Sequence, residues 1–158
     1  MSIERARAHL AAKGLADRII ETAQSSATVE LAAAAVGCEP ARIAKTLSFR
    51  VGERVALVLF AGDVRVDNRK FKDCFHTKPR MLAAEEAEAL IGHGVGGVCP
   101  CGVNERCDVY LDESLRRFDV VYPAAGTAAS AVRLTPAELE FACEPCEWVD
   151  VSKPREQA

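Results

Sequence analysis

The apolar positions of this chain change period several times, and each change marks an element. Residues 55–60 read Val55-Ala56-Leu57-Val58-Leu59-Phe60 without a polar position, the pattern of a strand buried on both faces. Residues 47–51 precede it as a second strand, joined through a turn at Gly52-Glu53. Near the start, Ile3, Ala6 and Leu10 recur at helical spacing and predict an amphipathic helix over 2–13 that Gly14 stops. Thr28 caps a helix running to Val36, with Glu30 in its first turn and Gly37 at its end. Pro40 opens a short helical turn over 41–44. Further short strands are predicted at 18–22, within 63–67, and at 108–111, 119–122, 130–134 and 147–151. Further helices are predicted at 68–74 and 83–91. A last helix ends at 143 and starts from Thr135-Pro136-Ala137-Glu138: an N-cap, a proline at the first helical position and a glutamate at N3.

Strands interspersed with helices, with no repeat, linker or low-complexity stretch, predict one α/β (α+β) domain over 1–158 with six or seven strands. At 158 residues, 49% hydrophobic and 27% charged, the chain has the size and composition of an ordinary soluble domain with one core. A net charge of −3 gives no global attraction for a polyanion, so nucleic-acid binding requires a local patch. The segment 1–7 has no apolar core of a signal peptide, and no apolar run approaches the roughly 20 residues of a membrane span. The expectation is a cytoplasmic protein without a membrane partner.

Five of the ten glycines fall within residues 92–102, around Gly96, Gly97, Val98, Cys99 and Pro100. Such a run lets backbone N–H groups approach a ligand closely. No phosphate-loop or dinucleotide spacing matches it, and five glycines exceed what a tight helix-to-strand connection needs. The functional reading is an oxyanion-hole arrangement of backbone donors. Lys45 lies where the helical turn passes into the strand, flanked by apolar neighbours. It is either a compact charge suited to a phosphate or an oxyanion, or a lysine snorkelling over the sheet edge. Residues 65–80 hold Arg65, Arg69, Lys70, Lys72, Lys78 and Arg80 against Asp67 and Asp73. That stripe either tracks a phosphodiester backbone or is a solvated face. Seven cysteines include Cys99-Pro100-Cys101 and Cys143-Glu144-Pro145-Cys146. Zinc is disfavoured by irregular spacing, and a redox pair by the absence of a strand–motif–helix context, so no metal or cofactor is expected. Among the histidines only His93, inside the glycine-rich stretch, is a candidate for the site.

In order and spacing these pieces resemble the YbaK/EbsC family of aminoacyl-tRNA deacylase domains, also found inserted in bacterial prolyl-tRNA synthetases. The matching residues are Thr28-Val29-Glu30-Leu31-Ala32, Ala41-Arg42-Ile43-Ala44-Lys45-Thr46-Leu47 and Val66-Asp67-Asn68-Arg69-Lys70. They continue with the loop from Gly92 to Pro100, Ala125-Gly126, and Leu134-Thr135-Pro136-Ala137-Glu138-Leu139. The resemblance covers nearly the whole chain and implies a mixed, strongly curved sheet with flanking helices. It implies hydrolysis of the ester of a mischarged tRNA, with Lys45 at the tRNA 3′ end and the loop from Gly96 through Gly97, Val98 and Cys99 to Pro100 positioning the aminoacyl carbonyl. Thr46, His93, Ala125 and Gly126 are then expected at the substrate, and Arg42, Arg65, Arg69 and Lys70 at the tRNA. An aminoacyl-tRNA synthetase that delivers the substrate is the second expected partner. An aminoacyl ester is already activated, so no Ser-His-Asp triad is required.

Ala124 stands where relatives often carry serine, Cys99 where they often carry serine or another small residue, and Cys101 is unusual. These departures bear on pocket size and polarity, and so on which amino acid is removed. Two alternatives remain open from the residues themselves: a non-catalytic tRNA- or nucleotide-binding module, and a cysteine-based zinc or redox protein.

Overall fold

The computed structural model describes residues 2–23, 28–93, 99–105 and 107–155. Five α-helices are described: α1 (Ser2–Ala12), α2 (Val29–Val36), α3 (Asn68–Phe75), α4 (Ala84–Ile91) and α5 (Pro136–Cys143). The strands are β1 (Ile19–Glu21), β2 (Ile43–Val51), β3 (Arg54–Ala61), β4 (Val64–Val66), β5 (Cys107–Asp112), β6 (Tyr122–Pro123), β7 (Ser130–Val132), β8 (Cys146–Val149) and β9 (Ser152–Pro154). Five of them form one mixed, strongly curved sheet in the order β6-β2-β3-β5-β8, and β1-β7 and β4-β9 form two-stranded ribbons beside it. The architecture is the expected mixed α/β one, with β2, β3 and β5 longer than the sequence pattern predicts and the outer strands shorter.

The all-apolar stretch becomes the centre of the sheet, with β3 antiparallel to β2 and parallel to β5. Every residue of β3 after Arg54 is buried. One side of β3 meets α4, where Val55 and Leu57 pack with Ala87 and Ile91. Ala56, Val58 and Phe60 join the main core with Ala6 and Leu10 of α1, Phe71 of α3 and Leu139 and Ala142 of α5. Gly62, just after β3, is a close-approach position: a Cβ there would lie 2.0 Å from the Pro40 carbonyl oxygen and 2.8 Å from Val29 Cγ1.

The capping signals are realised at both predicted helix starts. Thr28 Oγ1 accepts the Leu31 N–H at 3.1 Å. At α5, Thr135 Oγ1 accepts from Glu138 N at 3.1 Å while Glu138 Oε1 accepts from Thr135 N at 3.0 Å. Glu138 also pairs with Arg18 at 2.8 Å, tying α5 to the start of β1. Thr135→Ala is expected to cost about 1 kcal/mol, read from the denaturant midpoint at unchanged m-value.

Three boundaries differ from expectation. β2 begins at Ile43, so Lys45 lies inside the strand and not at its entrance; the 3₁₀ turn over Pro40–Arg42 is a single turn, and β-branched residues beyond it favour extended backbone. The expected strand at 119–122 pairs with β2 only through Tyr122 and Pro123, while Val121 turns its backbone bonds to Leu134. The expected closing strand at 147–151 divides into β8, parallel to β5, and β9, antiparallel to β4. Buried Asp112 makes that corner: its carboxylate accepts Val151 N–H at 2.9 Å and Ser152 Oγ–H at 2.6 Å. Among the described residues no helix is long and apolar enough to cross a membrane.

Candidate functional site

Strand alternation and register decide what surrounds Lys45. It stands opposite Phe60 in the β2/β3 ladder, so it shares a face with Leu47 and Phe49, while Thr46, opposite Leu59, points to the other face. The half-buried Lys45 ammonium donates to the Val64 carbonyl of β4, four residues beyond Phe60 along the chain. Burial pushes the Lys45 pKa down, the Arg155 charge adds to that, and Asp63 and Glu30 oppose it. Asp63 is held by Arg117 at 3.0 and 2.5 Å, and this pairing lowers its own pKa. Glu30 pairs with Arg155 at 3.7 Å. Lys45 is thus a desolvated cation with one backbone anchor, in a ring of charges that largely satisfy one another.

The parallel pairing of β2 with β6 sets Ile43 beside Tyr122 and Ala44 beside Pro123. Lys45 follows Ala44 on β2, and Ala124, Ala125 and Gly126 follow Pro123 as the chain leaves β6. The turn is held by Ser130: its Oγ accepts from Ala125 N at 3.1 Å and Thr127 N at 3.3 Å, and donates to the Thr127 carbonyl at 2.9 Å. Gly126 has φ +96°, a conformation that a side chain there would strain. Ala125 and Gly126 are both buried.

Of the glycine-rich stretch, Gly96, Gly97 and Val98 lie outside the described residues; His93, Cys99 and Pro100, which flank them, are buried. His93 Nε2–H donates to the Cys101 carbonyl at 2.5 Å, and Cys99 Sγ lies 3.6 Å from the same nitrogen. His93 Nδ1 is buried without a hydrogen-bond partner, as is Thr46 Oγ1. Burial disfavours the charged imidazole, but the Cys99 thiol and the Cys101 carbonyl together raise its pKa. The Cys101 side chain, with His93, holds the Cys99 thiol below the usual thiol range, and Cys101 is held above it. Both sulfurs sit in the core and are not presented to solvent. All seven cysteines are free thiols, and among the described residues no group of three or more His, Cys, Asp or Glu could hold a metal ion.

The four basic residues expected at the tRNA differ in environment. Arg42 is engaged by Asp119 at 2.5 Å, by the Val120 carbonyl at 3.2 Å and by the Phe118 ring. Lys70 bonds Asp150 and the Ser152 carbonyl, each at 3.0 Å, and fastens α3 to the β8–β9 corner. Arg65 is exposed on β4, in register with Lys153. Arg69 is exposed on α3. Sequence reasoning missed the Asp63, Arg117 and Arg155 surroundings of Lys45. The β4–β9 pairing that assembles them joins segments up to ninety positions apart (Val64↔Pro154), and no local pattern signals it.

A family model described as "Aminoacyl-tRNA editing domain" matches residues 23–142. An uncharacterized Bacillus subtilis protein, YwhH, is 44% identical over 154 residues, covering 97% of this chain and 98% of its own. EbsC of Enterococcus faecalis, a candidate Cys-tRNA(Pro)/Cys-tRNA(Cys) deacylase by its description, is 29% identical over 71% of this chain and 70% of its own. The crystal structure of a candidate trans-editing enzyme for prolyl-tRNA synthetase superposes with a TM-score of 0.87 at 33% identity, covering 96% of this chain and 97% of that one.

Proposed function

We propose that this chain, which belongs to the aminoacyl-tRNA editing domain family, hydrolyses the ester bond of mischarged aminoacyl-tRNA, acting in trans on tRNA already released from a synthetase. The observation that carries the reading is Lys45: a half-buried cation anchored to the Val64 carbonyl, one residue past the point where β2 pairs with β6, whose chain leads into the buried Ala125-Gly126 turn with its left-handed glycine. A lysine in that position suits the phosphate next to the tRNA 3′ end. Backbone donors of the Gly96–Gly97–Val98–Cys99–Pro100 segment would take the aminoacyl carbonyl oxygen as negative charge develops on it.

In the reaction a water molecule attacks the carbonyl carbon and the bond to the ribose oxygen breaks. The products are a free amino acid and a tRNA with a free hydroxyl. Positioning and charge stabilisation suffice for so activated an ester, so no nucleophilic side chain is required. Cys99 and Cys101 are enclosed in the core and act here as packing groups beneath the glycine-rich segment, with His93 beside them. Thr46, on the opposite face of β2 from Lys45, is left out of the site. Arg42, Arg65, Arg69 and Lys70 carry the positive field toward the tRNA, which is the partner; a synthetase is the natural source of the mischarged product.

The test is a deacylation panel with tRNAs for proline, cysteine and alanine, each carrying several non-matching amino acids. At least one mischarged tRNA is expected to lose its amino acid far faster than in buffer, while correctly charged tRNAs persist. Binding of these tRNAs without turnover of any would assign the chain to the non-catalytic binding class instead.

A further inference from the structure

Apart from the surroundings of Lys45, an open groove of about 470 Å³ is lined by Asn68, Arg69, Lys72, Lys78 and Pro79. Its three cations are exposed and make no ion pair with any described residue, whereas Lys70 on the same helix is taken up by Asp150. None of the described residues lining it carries a carboxylate. Nor is it a helix-terminus site, because the first N–H groups of α3 are occupied: Asp67 Oδ1 accepts from Arg69 N at 3.0 Å and Lys70 N at 3.1 Å. The positive charge is carried by side chains alone.

Both walls of the groove are fixed. On one side α3 buries Phe71, whose ring centroid is 4.7 Å from that of Phe49, and Phe71 in turn stacks on Phe75 at 4.5 Å. On the other side the chain after Pro79 is laced to the open edge of β2: Arg50 N–H donates to the Arg80 carbonyl at 2.8 Å and Leu82 N–H to the Ser48 carbonyl at 3.1 Å. That edge is open because β6 covers β2 only at Ile43 and Ala44. Phe49 and Lys45 lie on the same face of β2, four residues apart, which is ~13 Å along a strand. Helix α3, which packs on Phe49 through Phe71, therefore lies on the same side of the sheet as Lys45.

The geometry points to this groove as the docking surface for the phosphate backbone of the nucleotides that precede the esterified 3′ end, with Arg69, Lys72 and Lys78 as its contacts. The assignment rests on tRNA being the substrate. Three unpaired cations spread along a rigid groove match a string of phosphates, and such contacts fix position without reading sequence. They also make binding steeply dependent on salt, since each neutralised phosphate releases a counterion.

The test measures binding of uncharged proline-accepting tRNA from 50 to 300 mM salt, for the wild-type chain, Lys72→Glu/Lys78→Glu and Arg116→Glu. Arg116 stacks on Trp148 of β8 and is not among the residues that line the groove. The double variant is expected to bind about tenfold or more weakly at the lowest salt, with the log–log salt slope reduced by about two. Arg116→Glu is expected to stay within about twofold of wild type, and far-ultraviolet circular dichroism of all three to coincide. Unchanged affinity and slope in the double variant, equal weakening in Arg116→Glu, or no tRNA binding by the wild type would each overturn the assignment. Failure of the deacylase reading is separate: it would appear as absence of hydrolysis while the salt-dependent binding and its loss in the double variant persist.

Discussion

Lys45→Ala is expected to lower the rate of mischarged-tRNA hydrolysis by about 100-fold or more, the range seen when one preorganised electrostatic group is removed from a reaction centre. The fold should survive, because the side chain is only half-buried and contributes one bond, to the Val64 carbonyl, at the cost of its own desolvation. Lys45→Met should accordingly unfold at a temperature equal to or above that of the wild type. Activity within a fewfold of wild type in Lys45→Ala, across the whole panel of mischarged tRNAs, would remove Lys45 from the site. The pH dependence follows from the same environment. Burial and the Arg155 charge depress the Lys45 pKa, so the cation is lost at lower pH than for a lysine in water. Enzyme-dependent hydrolysis, corrected for the spontaneous rate, should decline on the alkaline side before pH 10.5. The sign for stability is opposite. Between the depressed folded pKa and the unfolded value, the unfolded chain binds more protons, so this group adds stability as pH rises through that window.

Asp112→Ala carries the largest expected effect on stability. The Asp112 carboxylate is fully buried and accepts three bonds, from Ser114 N at 3.0 Å, Val151 N at 2.9 Å and Ser152 Oγ at 2.6 Å. Truncation leaves these donors without an acceptor in a region closed to water, a loss of about 3–5 kcal/mol. For a domain of this size that lowers the melting temperature by roughly 10 °C. Asp112→Asn keeps one acceptor oxygen and should lose about half as much. The damage should also reach the site. The corner at Val151 directs β9 onto β4, and β4 supplies the carbonyl that anchors Lys45. Hydrolysis by Asp112→Ala should therefore fall at temperatures where its helices are still intact by circular dichroism. A melting temperature within about 2 °C of wild type would show that the corner is held by something other than this carboxylate.

Much of the local structure was legible in the chain because its causes are local. A hydroxyl three residues before its target N–H, as at Thr28 and Thr135, caps a helix whatever lies around it. Six apolar residues in a row, as in β3, have only the middle of a sheet to occupy. The motif order likewise sufficed for the family. The boundary of β2, the division of the last strand and the surroundings of Lys45 were not legible. Each depends on a partner far away in sequence: Tyr122 for Ile43, Asp112 for Val151 and Ser152, Arg155 for Glu30.

The basic stretch from Arg65 to Arg80 illustrates the division best. By itself the sequence determined where the charge lies, which segments become helix and strand, and which family pattern they follow, since composition, capping and periodicity act over a few residues. Only the tertiary structure decided what each charge does. It neutralised Lys70 with Asp150 and left Arg69, Lys72 and Lys78 along one groove without an ion pair to any described residue. It also turned Lys45 from a strand-entrance residue into a desolvated cation on the same face of the sheet. Free energies of charged groups are set by burial and by the nearest opposite charge, and both are properties of the folded packing.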